Sequence, residues 1–412
     1  MVKIVKVPWA AWREPENLEL KFPDSWDVSV CRMNGADAPE LSAADINKGF
    51  LNPIGTPKLS ELAQGKEKVV IVVDDMTRTT PVYKVLPFVF EELEKASVTK
   101  DKITILLALG AHKPMTRHDF ILKLGREVVD TIRIENHHPY ENLTNFGESK
   151  KGTRIDVNTT YCNADLKIAI GGVIPHPLAG FGGGAKIVLP GVCGIHTLED
   201  NHSAGMRGVG AGIGRITEIR EDIEETAEKV GLDFSINIIF NEIGKMVGIF
   251  SGHFKEAHRK AMEYAKQAYM TKSSLNNNIC FFNSFPEDSE LNQAQYKAFN
   301  FLMTAPKKLI NKDGAMVLMS SSYEGRGYHS LIAETGAKLY KNVGDSVLWR
   351  AFIKKRKVYF YSPNINEYDL HHFFPKAVKL FNDWPSLIEE LEKNYGKSPK
   401  ISIIPTSIQL AG

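Results

Sequence analysis

The run Lys66-Glu67-Lys68-Val69-Val70-Ile71-Val72-Val73-Asp74-Asp75 constrains the fold more than any other stretch of the chain. Its β-branched residues follow one another without polar alternation, so neither face is left for solvent. That is the pattern of a parallel strand covered on both sides by helices. Leu86 to Ala96 then reads as an amphipathic helix, with Pro87 in its first turn, where a missing N–H costs little. The plan repeats. Lys102 to Leu109 is a second buried strand ending at Gly110, residues 116–124 form a helix capped by Thr116, and Leu166 to Gly171 is a third strand. Strands alternating with helices give an α/β fold with mostly parallel sheets.

A chain of 412 residues exceeds one typical domain of about 150. A second α/β set begins near Ser274. Residues 274–282 open it, strands are expected at 314–319, 358–361 and 401–404, and helices at 293–305 and 375–394. Short strand and helix patterns at 3–7 and 39–51 precede the first set. The expectation is two α/β domains, residues 1–270 and 271–412.

Composition narrows the function classes. The formal net charge is +2 and no dense Lys/Arg block occurs, which argues against a nucleic-acid partner. Cys31, Cys162, Cys193 and Cys280 are scattered without a C-x-x-C pair, as in a cytoplasmic protein with reduced thiols. No run of about 20 apolar residues is present to cross a membrane. Charged residues interrupt the N-terminus, so it does not read as a signal peptide.

Three clusters follow strand ends, where open α/β sheets bind ligands. The first is Asp74-Asp75-Met76-Thr77-Arg78-Thr79-Thr80-Pro81, in which Arg78 can grip a carboxylate with two parallel hydrogen bonds and Asp75 can steady it. A solvated loop with an internal Asp–Arg pair is the plain alternative. The second, Gly110-Ala111-His112-Lys113-Pro114-Met115-Thr116, presents His112 where a general base would stand, although a lone histidine is more often structural. The third, Ile174 to Gly191, holds His176, then Gly182-Gly183-Gly184, then Lys186. Successive glycines allow close approach of backbone to a ligand. A phosphate loop needs Gly before the lysine and Ser or Thr after it; Ala185 and Ile187 stand there instead, so that motif fails. Lys186 is left as a charge or a covalent attachment point. His202 follows in Asn201-His202. A single histidine makes a metal ligand only if a cofactor brings the other donors. His196 nearby is read as a bystander.

Together these segments, in this order and spacing from Val69 to His202, resemble the nickel-dependent lactate racemase family. The matching residues are D-D-x-T-R-x-x-P, G-x-H-x-P-M-T, P-H-x-x-A-G-F-x-G-G-x-K-x-x-x-P-G and N-H. The resemblance implies two α/β domains with the active site in the cleft between them. It implies nickel held by a pyridinium-3,5-bisthiocarboxylic acid mononucleotide, joined to the protein through Lys186, with His202 as the protein's ligand to the metal. His112 and His176 would be the acid/base pair, and Arg78 with Asp75 would bind substrate. The family also uses a Gln and a Lys three residues apart. Here Gln293 and Gln295 lie four and two residues before Lys297, so the lysine is matched and the glutamine is left open. Thr77 and the Gly182, Gly183 and Gly184 amides are candidates for the cofactor phosphate.

The chemistry implied is racemisation or epimerisation of a 2-hydroxy acid by reversible hydride transfer from Cα, with cofactor-maturation proteins as partners. Three rival readings stand beside it. One is a non-catalytic ligand-binding homologue. Another is an epimerase of longer hydroxy or sugar acids, its side-chain pocket lined from Ser320 to Leu331. The third is a nicotinamide-dependent dehydrogenase, whose glycine motif is matched only loosely at Gly208 to Gly212, without a preceding strand.

Overall fold

The computed structural model describes residues 2–205, 212–331 and 356–412. The loose glycine motif therefore lies almost wholly outside the described residues. The chain folds as two compact units. One comprises Ala38–Gln267 with residues 329–331, and the other residues 2–37, 268–328 and 356–412.

The first unit is built on a six-stranded sheet. Its order is Met246–Gly252, Phe234–Phe240, Leu166–Gly172, Val69–Asp74, Ile103–Ala108, Arg133–Asn136. All neighbours run parallel except the Met246–Gly252 edge, which pairs antiparallel with Phe234–Phe240. Every residue of Val69–Asp74 is buried, as its unbroken apolar run requires. From this strand the chain moves outward to Ile103–Ala108 and Arg133–Asn136. It then returns to the other flank as Leu166–Gly172. That reversal opens a crevice beyond the carboxyl ends of Val69–Asp74 and Leu166–Gly172. Residues 75–81 and 173–191 lie there.

The Arg117–Leu124 helix starts as expected. Thr116 and Asp119 form a capping box, with Thr116 N–H donating to Asp119 at 2.8 Å and Asp119 N–H to Thr116 Oγ1 at 3.3 Å. The preceding helix differs from expectation. It runs Val82–Lys95, which places Pro87 inside it. Val82, Val85, Leu86, Val89 and Leu93 form a continuous buried stripe, and that packing carries the helix through the missing N–H of Pro87.

The second unit has a fully parallel six-stranded sheet. The order is Lys379–Phe381, Lys357–Tyr361, Ile310–Met319, Asn277–Asn283, Lys400–Ile404, Asp27–Val30. Its edge strand comes from the N-terminus, so the first 37 residues belong here rather than with the residues that follow them. Val7, Leu20, Phe22 and Trp26 fill one core with Phe281, Leu387 and Ile403. The helix expected at 293–305 is two shorter ones, Leu291–Lys297 and Asn300–Thr304. The helical pattern at 375–394 resolves into the Lys379–Phe381 strand and a Trp384–Tyr395 helix capped by Asp383. Among the described residues no helix is long and apolar enough to cross a membrane.

Candidate active site

Asp74 ends the central strand, Asp75 follows it, and the two point to different partners. The Asp74 carboxylate pairs with Lys123 at 2.7 Å and accepts from Thr80 Oγ1 at 2.5 Å and Gly172 N–H at 3.1 Å. The Asp75 carboxylate meets His112 Nδ1 at 2.5 Å with one oxygen. With the other it accepts Thr77 N–H at 2.8 Å and the Thr77 hydroxyl at 2.5 Å. Arg78 donates to the Thr77 hydroxyl at 2.8 Å, so Arg78, Thr77, Asp75 and His112 form one chain of hydrogen bonds. Burial by itself would raise the Asp75 carboxyl. The His112 charge and hydrogen bond, with Arg78 and Thr77, outweigh it and hold the group well below the usual carboxylate range. An ionised Asp75 keeps the proton of a neutral His112 on Nδ1 and leaves the lone pair on Nε2, the form a general base needs.

His176 is arranged the other way. It lies in the Pro175–His176 strand, paired with Gly180–Phe181. Its Nδ1 accepts Leu178 N–H at 3.2 Å and Ala179 N–H at 3.1 Å, so a neutral ring carries its proton on Nε2.

The glycine loop is clamped from behind. Arg220, on the Glu218–Val230 helix, donates to the carbonyls of Ala179 and Gly183, each at 3.2 Å, and to that of Phe181. Burial lowers its guanidinium to about 10, still charged at neutral pH. His258 meets the Gly182 carbonyl at 2.7 Å. Gly182 N–H donates to Ile174 O at 2.7 Å and Gly184 N–H to Asn237 Oδ1 at 2.8 Å. In this structure the Gly182 and Gly184 amides bind within the protein, and Thr77 gives both its donors to Asp75. The glycines are needed for packing. At Gly184 φ is +54°, and a Cβ would lie 2.9 Å from the His258 ring. Gly184→Ala is therefore expected to destabilise this unit by about 1–3 kcal/mol, seen as a lower thermal midpoint. An unchanged midpoint would contradict the clamp.

Lys186 follows in the Gly184–Ile187 turn. His202, on the Ile195–Gly205 helix, hydrogen-bonds through Nδ1 to Leu198 O at 2.9 Å. Burial, then the nearby charge of Lys186 and, less strongly, of His112, pushes the His202 imidazole down to about 4, so it is neutral at pH 7. His196 turns aside to Glu199 at 3.2 Å.

One member of the cluster was not singled out from the sequence. His329 pairs its backbone with His112, and the rings lie 5.2 Å apart at 67°. Burial and the charges of His112 and His202 push its imidazole well below the usual range. The only sequence signal for it was the mixed Tyr, Arg and His content of residues 320–331.

Residues 14–214 match the lactate racemase N-terminal domain. This chain is similar to the lactate racemase family. It is 27% identical to the lactate racemase of Thermoanaerobacterium thermosaccharolyticum, covering 95% of this chain and 96% of that one. It is 28% identical to the lactate racemase of Lactiplantibacillus plantarum, over 88% and 89%. The solved lactate racemase apoprotein from T. thermosaccharolyticum has the same fold, with a TM-score of 0.78 at 22% identity and full coverage of both chains. A Thermotoga maritima protein gives 0.69 at 18%, covering 92% of this chain and 99% of that one. These relatives indicate that the chain is an isomerase of the racemase class.

The remaining expected residues lie on the Leu291–Lys297 helix of the other unit. The Lys297 ammonium is paired with the buried Glu287 carboxylate at 2.9 Å. Gln295 is fully buried, its amide donating to Asn292 O at 3.1 Å, while Gln293 retains 8% exposure.

Proposed function

We propose that this chain racemises or epimerises a 2-hydroxy acid, lactate or a related short-chain acid, with a nickel pincer cofactor tethered through Lys186. The observation that carries the reading is the cluster in which Lys186 and His112 lie close enough to half-buried His202 to influence its charge, while Asp75 orients His112.

The residues fit such a group. The Leu198 carbonyl holds the Nδ1–H of neutral His202, which leaves Nε2 with the lone pair a metal requires. Among the described residues no three His, Cys, Asp or Glu side chains converge as a metal-ligand set. A metal at His202 would thus take its other donors from a cofactor. When bound, the cofactor supplies an electrophilic ring carbon that can take up and return the hydrogen of Cα with its electron pair.

The protein's own part is proton handling and positioning. His112 Nε2 takes the hydroxyl proton of one enantiomer, with Asp75 stabilising the imidazolium that forms. His176 presents Nε2–H to the substrate oxygen. For it to act as a base toward the other enantiomer, its Nδ1 must first release the Leu178 and Ala179 amides. Arg78 grips the carboxylate and keeps Cα in place. Lys297 and Gln293 are proposed to add to substrate binding. The setting proposed is the cytoplasm, together with the proteins that mature the cofactor.

The test is a panel of enantiopure 2-hydroxy acids incubated with protein made alongside cofactor maturation, followed by chiral separation. Lactate or a short-chain relative is expected to racemise. Turnover confined to longer or sugar acids would shift the substrate class. No turnover by protein of full cofactor mass would overturn the reading.

A further inference from the structure

Lys123 lies on the Arg117–Leu124 helix and has no exposed surface. Its ammonium donates to the carbonyl of Asp75 at 2.9 Å and to that of Arg78 at 2.8 Å, and it pairs with Asp74 at 2.7 Å. The Asp75–Arg78 segment is a turn, closed by its own Arg78 N–H to Asp75 O bond at 3.2 Å. Lys123 therefore holds the first and last carbonyls of the turn that carries both Asp75 and Arg78.

A buried ammonium is costly, and an apolar side chain of similar volume often stabilises a fold as well or better. What an apolar side chain cannot do is bind three oxygens at once. An ammonium has three donors on one atom and a full charge, and here it donates to two backbone carbonyls and forms an ion pair with one carboxylate.

We propose that Lys123 is a positioning residue of the reaction. It fixes the turn so that Asp75 faces His112 and Arg78 faces the substrate carboxylate. The proposal rests on His112 as the base and Arg78 as the carboxylate grip. It also divides the paired acids: Asp74 neutralises the tether, and Asp75 serves the imidazole.

The test compares the full-length chain with Lys123→Met and with the double variant Asp74→Asn/Lys123→Met. The double variant removes both buried charges together, so no unpaired charge is left in the core. Two quantities are read. The first is the far-downfield imidazole N–H proton resonance expected for His112 on a buried carboxylate. It is identified by its loss in His112→Gln and measured on protein without cofactor. The second is kcat and KM on matured enzyme.

The double variant is expected to fold, to lose or shift that resonance, and to show kcat lower by roughly 10- to 100-fold with a raised KM. Wild-type resonance and kinetics in the double variant would overturn the proposal. So would loss of its fold, which would make Lys123 a stability residue only. Because the resonance needs neither cofactor nor turnover, a failure of the proposed activity is distinguishable from a failure of this inference.

Discussion

Lys186→Ala, produced alongside cofactor maturation, is expected to run at the bare polypeptide mass, while the wild-type chain carries an added increment. Lys186 sits in a turn whose backbone is fixed by Arg220, His258 and Asn237, none of which the substitution touches. The variant should therefore keep the wild-type thermal midpoint while losing the adduct and all racemisation. A second consequence follows at His202. The positive charge of Lys186 is one reason its imidazole is held down. Amide or thioamide formation removes that charge, so attachment lets the His202 imidazole rise, while burial still holds it below its ordinary value. An increment that persists in Lys186→Ala would place the tether elsewhere.

His112→Ala is expected to keep the mass increment and the nickel but to lower kcat by about 10²–10⁴-fold, the usual contribution of a positioned acid/base group. The ring is held by Asp75, not by the glycine loop, so its removal leaves the cofactor attachment untouched. Asp75→Asn should lower kcat in the same direction, because an amide can hold the opposite tautomer of the imidazole. Metal analysis decides between roles: nickel lost with His112 would make it a metal ligand rather than the base.

Much of the first unit was legible in the sequence because local rules and packing agree there. The buried strands read from unbroken apolar runs, and the Thr116 cap from its own side chain. The lysine loop stood out through its glycines. Partners joined by tertiary structure were not legible. Asp75 stands three residues before Arg78, so a local reading pairs the two directly. In the fold, adjacent parallel strands bring His112 beside it, and Thr77 carries the link to Arg78. Arg220, Asp222 and Glu224 look like the solvated face of a charged helix, yet all three are buried. Their partners come from distant segments: loop carbonyls for Arg220, Ser149, Thr153 and Asn201 for Asp222, and Arg259 for Glu224. The N-terminal edge strand was missed as a member of the second unit for a related reason. A four-residue strand, Asp27–Val30, has too little pattern of its own to name its neighbour.

In the proposed reaction the Cα hydrogen leaves with its electrons and returns, while His112 handles only the hydroxyl proton. Racemisation of an enantiopure 2-hydroxy acid by matured protein in deuterated water tests this directly. The opposite enantiomer is expected to appear with its original hydrogen still on Cα. Deuterium at Cα in step with racemisation would contradict hydride transfer and point to a carbanion route instead.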